Sequence, residues 1–309
     1  MTGPGTEHID HTARRTAFRA ALASGSIQKF PGAFSPLVAQ LIEDLGLFEG
    51  VYVSGAALSA DLGLPDIGLT TLTEVATRSE QIARMTSLPT FVDADTGFGE
   101  PLNLARTIQT FEAAGLVGCH IEDQVNPKRC GHLDGKAIVS RDDMVRRVRA
   151  ATDARRDDSF LIMARTDAKA SEGIDAAIER AKAYVDAGAD AIFPEALWTE
   201  AEFEQFRAAI DVPLLANMTE FGKSDLFPAS RLEELGYNMV IFPVTTLRIA
   251  MGAVERGLRT IAETGTAKSL VPEMQTRARL YELIKYDQYT LFDSSVFDFN
   301  LANNHGATA

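Results

Sequence analysis

Residues 113–124 read AAGLVGCHIEDQ, and the stretch carries three signals in order. Gly115 suits the left-handed residue that closes a helix, VGCHI is a nearly unbroken apolar strand, and the strand then stops at the acids Glu122 and Asp123. The same junction recurs as DLGLFEGVYV at 44–53, DAGADAIFPE at 186–195 and ELGYNMVIFP at 234–243, with Gly46, Gly188 and Gly236 in the closing position.

Working outward, eight runs of strand character appear: IQKFPGAF (27–34), GVYVSG (50–55), PTFVDAD (89–95), VGCHIED (117–123), FLIMARTD (160–167), DAIFPEA (190–196), VPLLANM (212–218) and NMVIFPV (238–244). Longer segments with helical spacing separate them, and Thr71 with Glu74 and Thr199 with Glu202 read as capping boxes. Eight alternations of buried strand and helix predict an α/β fold, a (β/α)8 TIM barrel. A doubly wound sheet would bring a glycine-rich phosphate turn after its first strand, and neither GxGxxG nor GxxxxGK[ST] occurs. Outside the barrel the pattern predicts an N-terminal helix near 9–24 and a C-terminal stretch, 272–297, helical in its first half. The whole chain, 1–309, reads as one domain, with 270–300 as a C-terminal helical extension. The tyrosines and leucines of that extension call for cover by another subunit.

Lys and Arg number 30 against 43 Asp and Glu, a net charge of −13 that repels polyphosphate and anionic lipid. Nucleic acid and membrane surfaces are therefore not expected partners. With 46% hydrophobic and 24% charged residues the composition is that of a folded protein, and no uncharged apolar run approaches the ~20 residues that span a bilayer. The basic residues near the N-terminus lie within a helical pattern, so no secretion signal is expected. Two cysteines, Cys119 and Cys130, are too few for a disulfide framework, which fits a reducing, cytoplasmic address.

In such a barrel the chemistry lies at the C-terminal ends of the strands. The third run ends DADTGFGE, and strand alternation turns Asp93 and Asp95 the same way. The fourth brings Glu122 and Asp123 to the same rim. Clustered carboxylates repel unless a cation sits among them, and an all-oxygen site of few protein ligands suits Mg²⁺, with Mn²⁺ as the alternative. Downstream, NPKRCGHLDGK surrounds Cys130 with Lys128, Arg129 and His132, while Gly131 lets backbone approach a ligand closely. Positive neighbours favour a thiol that gives up and recovers a proton, as general acid–base work needs. Cys119, inside an apolar strand, reads as core. Other rim residues are Ser54, Gly55, Arg165 with Asp167, Glu195, Asn217, Thr219 and Arg248, the two arginines reading as clamps for a polyanionic substrate.

Taken together, DADTGFG, HIEDQ, KRCGH, MARTD, FPEA and LANMTEFG make the chain similar to the isocitrate lyase and phosphoenolpyruvate mutase superfamily, and within it to the 2-methylisocitrate lyases. The resemblance runs from about Arg14 to Phe299. It implies a barrel that exchanges its last helix with a neighbour in a homotetramer. It also implies Mg²⁺-dependent retro-aldol cleavage of a tricarboxylate, 2-methylisocitrate, to pyruvate and succinate in propionate catabolism (the methylcitrate cycle). Asp93 and Asp95 would then hold the metal, partly through water, with Glu122 nearby. Ser54, Gly55 and Ala56 would contact the pyruvate half. Cys130 and Gly131, Arg165, Glu195, Asn217, Met218, Thr219, Arg248 and Arg277 would complete the substrate site, with Asp66 as a further rim acid.

Cys130 would protonate the succinate carbanion, with His132 and Glu195 setting the protonation state around the thiol. Tyr52 or a metal-bound water would take the C2 hydroxyl proton, and Phe193 would wall the methyl pocket. The chain departs from many relatives at Ala56, where they have Gly, and at Leu133, where they have Arg. Rival readings are isocitrate lyase, another oxo-acid lyase of the superfamily, and an inactive barrel kept for assembly.

Overall fold

The structure, a computed structural model, describes residues 10–129 and 137–297. The chain divides into two compact units, one ending at Val254 and one running from Glu255. Among the described residues of the first lie the strands β1 Gln28–Pro31, β2 Val51–Val53, β3 Thr90–Asp93, β4 Gly118–Glu122, β5 Leu161–Thr166, β6 Ala191–Pro194, β7 Leu215–Asn217 and β8 Met239–Phe242. Each falls inside one of the eight runs predicted. The helices of this unit are α1 His11–Leu22, α2 Pro36–Leu45, α3 Gly55–Asp61, α4 Leu72–Ala83, α5 Pro101–Ala113, α6 Arg141–Ala154, α7 Lys169–Glu172, α8 Ile174–Asp186, α9 Glu200–Ala209 and α10 Ala229–Glu234. α11, Thr245–Thr264, starts here and continues into the second unit.

All strand pairs are parallel, in two ladders ordered β1-β8-β7 and β2-β3-β4-β5-β6. Single bridges join the ladders at both edges. Gly32 pairs with Tyr52, where the Ala33 N–H donates to the Tyr52 carbonyl at 2.8 Å, and Ile192 pairs with Leu214, its N–H donating to the Pro213 carbonyl at 3.0 Å. The sheet thus closes into the eight-stranded barrel that the alternation predicts.

Strand alternation divides the apolar side chains into two cores. Val51, Val92, Cys119, Ile121, Ile162, Ile192 and Val240 face outward under the helices, so Cys119 is core as expected. Phe30, Tyr52, Phe91, Met163, Phe193, Leu215, Met239 and Ile241 form a second cluster together with Phe18 and Leu22 of α1. The Phe18 ring lies 5.5 Å from Phe30 and 6.1 Å from Phe91, and α1 is tied down by buried Arg15, which donates to the Glu112 and Leu116 carbonyls at 2.7 and 2.9 Å. With that end filled by α1, the open end of the barrel is the C-terminal one.

The local signals hold. Gly46, Gly115, Gly188 and Gly236 all have positive φ, between 63° and 106°, and Thr71 caps α4 reciprocally with Glu74. In the second unit a 3₁₀ turn at Lys268–Glu273 leads to α12 Arg277–Leu283 and α13 Tyr286–Phe297. Helix therefore extends through the second half of the C-terminal stretch as well, contrary to expectation. Leu291 falls opposite the face that Tyr289, Phe292 and Val296 share, which blurs the helical periodicity.

Two glycines separate steric need from conformational need. A Cβ at Gly32 would stand 2.1 Å from the Pro243 carbonyl oxygen, across the β1–β8 pairing, whereas one at Gly46 would meet nothing within 4 Å but must tolerate φ 63°. Gly32→Ala is expected to cost about 3 kcal/mol or more through overpacking and Gly46→Ala about 1–2 kcal/mol through strain. Equal denaturant midpoints for the two variants would contradict this account of the closure.

Candidate active site

Inward-facing positions change character toward the C-terminal ends of the strands. Phe91 gives way to Asp93, His120 to Glu122, Met163 to Arg165, and Leu215 to Asn217. Above them opens a cavity of about 80 Å³, lined by Tyr52, Ser54, Ala56, Asp66, Asp93, Arg165, Phe193, Glu195, Asn217, Thr219 and Arg248 among the residues expected, with Lys128, Ile241 and Pro243. Gly55 lies against the carboxylates: its N–H donates to Asp93 Oδ2 at 3.2 Å, and a Cβ there would meet Asp93 Oδ2 at 2.9 Å and Asp95 Oδ1 at 3.2 Å.

One expected residue is turned away from this cavity. Met218 faces the outer core, its sulfur meeting the Phe227 N–H, because alternation turns it away while Asn217 and Thr219 turn in. Cys130, Gly131 and His132 lie outside the described residues, as does Leu133. Arg277 is the first residue of α12 in the C-terminal unit.

Asp93 and Asp95 do meet, though not by strand alternation. β3 stops at Asp93, and Asp95 turns back through a left-handed conformation, φ 46°, its N–H donating to Asp93 Oδ1 at 2.9 Å. Burial drives the Asp95 carboxyl up to about 6, opposed by Lys128 and reinforced by Asp93. The Lys128 ammonium is buried, 2.8 Å from Asp95 Oδ1 and bonded to Asp66. The Lys128 charge, expected beside Cys130, is thus engaged by two carboxylates.

Arg165 is likewise engaged. Its guanidinium donates to Asp167 at 2.9 and 3.2 Å and stands 3.3 Å from Glu122 Oε2 and 3.6 Å from Glu195 Oε2, over the Phe193 ring at 5.0 Å. The sequence suggests a clamp awaiting substrate; the structure surrounds it with three carboxylates. Burial pushes the Glu122 carboxyl well above its ordinary range, with Arg165 opposing. Asp123 does not share the rim. It points outward and accepts from Tyr184 OH at 2.9 Å and Thr166 Oγ1 at 2.8 Å, a structural acid.

Sequence reasoning misses His120. It is fully buried inside the barrel, its Nε2 2.7 Å from Tyr52 OH and its Nδ1 3.7 Å from Asp93 Oδ1. Burial lowers its pKa to about 4, so the ring is neutral, and burial together with Asp93 holds Tyr52 as a phenol. The available signal is parity: His120 sits two residues before Glu122 on one strand and so shares its face.

The donor set fits a hard divalent cation. Asp93, Asp95 and Glu122 offer carboxylate oxygens, Gly55 leaves the room that a Cβ would fill, and Glu122 Oε1 is buried without a hydrogen-bond partner among the described residues. No three His, Cys, Asp or Glu side chains converge into a closed cage among the described residues. Because Arg165 is the buried cation facing Glu122, Asp167 and Glu195, Arg165→Met is expected to lower stability by about 3–5 kcal/mol at neutral pH. An unchanged melting temperature would show that the acids are held by something else.

The phosphoenolpyruvate phosphomutase family matches residues 18–262. A probable 2-methylisocitrate lyase of Corynebacterium glutamicum is 63% identical over 300 residues, 97% of each chain. Among solved structures, 2,3-dimethylmalate lyase, described as a PEP mutase/isocitrate lyase superfamily member, superposes with a TM-score of 0.86 at 33% identity over 96% of this chain and 98% of that one. Phosphonopyruvate hydrolase in complex with oxalate and Mg²⁺ gives 0.82 at 29% identity over 91% and 98%. The chain belongs to the phosphoenolpyruvate phosphomutase family, on its 2-methylisocitrate lyase branch.

Proposed function

We propose that the barrel mouth is the active site of a carbon–carbon lyase that cleaves 2-methylisocitrate to pyruvate and succinate in propionate catabolism, with Mg²⁺ as its metal. One observation carries the reading: buried Asp93, whose carboxylate accepts from the Asp95 N–H, lines one cavity together with Arg248 and an apolar wall of Phe193, Ile241 and Pro243. That combination suits a small polyanion with one apolar substituent. The 2-methylisocitrate lyase relatives support it, as does the Mg²⁺ held with oxalate by phosphonopyruvate hydrolase.

Asp93 and Asp95 would hold the metal, with Glu122 close by; when bound, such an ion absorbs the charge that develops on a substrate oxygen. Arg248 pairs with a substrate carboxylate, and Asn217 and Thr219 bound the same side of the cavity. Ser54, Gly55 and Ala56 contact the pyruvate half at the start of α3. Tyr52 takes the C2 hydroxyl proton as its own moves toward His120 Nε2, which accepts when the ring carries its proton on Nδ1. Cys130 donates the proton that turns the carbanion half into succinate, and His132 and Glu195 set the thiol's protonation. Asp66 steadies Lys128 beside Asp95.

Assembly into a homotetramer that exchanges C-terminal helices is part of the proposal, supported by exposed Ile249, Met251, Leu258 and Ile261 on α11 and Leu291 and Val296 on α13. A cytoplasmic site of action accords with the paucity of cysteine. No described helix is long and apolar enough to cross a membrane.

Succinate and pyruvate release from 2-methylisocitrate is expected with Mg²⁺ and not with EDTA, and Cys130→Ser is expected to lose at least about 100-fold in turnover. Glyoxylate from isocitrate at equal efficiency would move the assignment to isocitrate lyase. Absence of cleavage of either acid by metal-loaded protein would end the lyase reading. Independently of activity, Mg²⁺ at a hundredfold excess over its Kd should stabilise the protein by about 2.7 kcal/mol, and Asp95→Asn should abolish that shift. Replacing Phe193 should change the preference between the two acids, up to about 100-fold; an unchanged ratio removes it as the methyl wall.

A further inference from the structure

We infer that Glu220 and Phe221, on the loop after β7, are positioning residues for Arg248, fixing its guanidinium so that the Nε–Nη2 edge stays free for a carboxylate in the cavity it lines. The inference deepens the lyase reading and rests on it for the identity of that carboxylate.

The contacts on Arg248 are one-sided. Nη1 donates to Thr219 Oγ1 at 3.2 Å, to the Glu220 carbonyl at 2.9 Å and to Glu220 Oε2 at 2.5 Å, while Nε and Nη2 make no hydrogen bond among the described residues. A guanidinium is a rigid planar fork of five N–H donors, so pinning one nitrogen orients the other two. The edge left over is one that takes a carboxylate through two parallel bonds. Glu220 is itself braced: Thr245 Oγ1, on the first residue of α11, donates to its Oε1. Loop and helix thus grip each other three residues ahead of Arg248. The same bonds from Thr245 and Arg248 outweigh burial and keep the Glu220 carboxyl below its ordinary range, so it is a full charge opposite the guanidinium.

Phe221 is the second support. Its backbone holds φ 59°, a left-handed conformation costly for a bulky residue, and its surface is 95% exposed, so it gains nothing from burial. What its ring does is cover Arg248, whose Cζ lies 5.4 Å from the ring centroid. Glu220 holds the guanidinium by one nitrogen and Phe221 by one face.

The test is steady-state cleavage of 2-methylisocitrate together with thermal unfolding for wild type, Glu220→Ala, Glu220→Gln and Phe221→Gly. Glu220→Ala should raise KM about tenfold with kcat within about threefold. Glu220→Gln, whose amide oxygen still accepts from Nη1, should restore most of the loss. Phe221→Gly relieves the backbone, so the melting temperature holds or rises, yet KM still increases about threefold. An active wild type whose KM is unmoved in Glu220→Ala and Phe221→Gly overturns the inference and leaves the lyase reading standing. So does a Gln variant as impaired as Ala, which would assign the effect to charge rather than to orientation. A wild type that does not turn over the substrate removes both.

Discussion

Too much negative charge is buried for the cations that accompany it. Among the described residues at the top of the barrel, Asp93, Asp95, Glu122, Asp167 and Glu195 are buried, and the buried bases beside them are Lys128 and Arg165. Desolvated carboxylates tolerate such company only when paired, protonated or joined by a cation. Lys128 serves Asp95 and Asp66, and Arg165 serves three acids at once. The chain can settle the excess by keeping a proton on Glu122, whose carboxyl burial already pushes up, or by admitting a divalent ion beside Asp93 and Asp95.

The scaffold is legible in the sequence because a parallel barrel writes itself locally. Strands buried on both faces read as continuous apolar runs, and a left-handed helix end needs glycine, so Gly115 before VGCHI marks a junction without reference to the rest of the chain. Acids at strand ends can be read for the same reason. What cannot be read are partners supplied from other strands and loops. Lys128 lies near Cys130 in sequence, yet it is bonded to Asp66 from a different loop. Arg165 resembles a vacant clamp because nothing local foretells that Glu122 and Glu195, from the strands either side, turn toward it. Alternation places Asp95 beside Asp93 for the wrong reason, since a left-handed turn is what returns it there. His120 is hidden behind the more conspicuous acid two residues on.

The barrel's two ladders divide the site between them. Asp93, Glu122 and Arg165 stand on the five-stranded ladder, while Asn217 ends a strand of the three-stranded one and Arg248 follows another. Between the ladders run two seams, each a single bridge. A ligand gripped at one end by the acid side and at the other by Arg248 spans from ladder to ladder, adding a rung where the protein supplies few. Its binding free energy would then belong equally to closure of the sheet, and such a ligand would be, for as long as it is held, a structural member of the barrel.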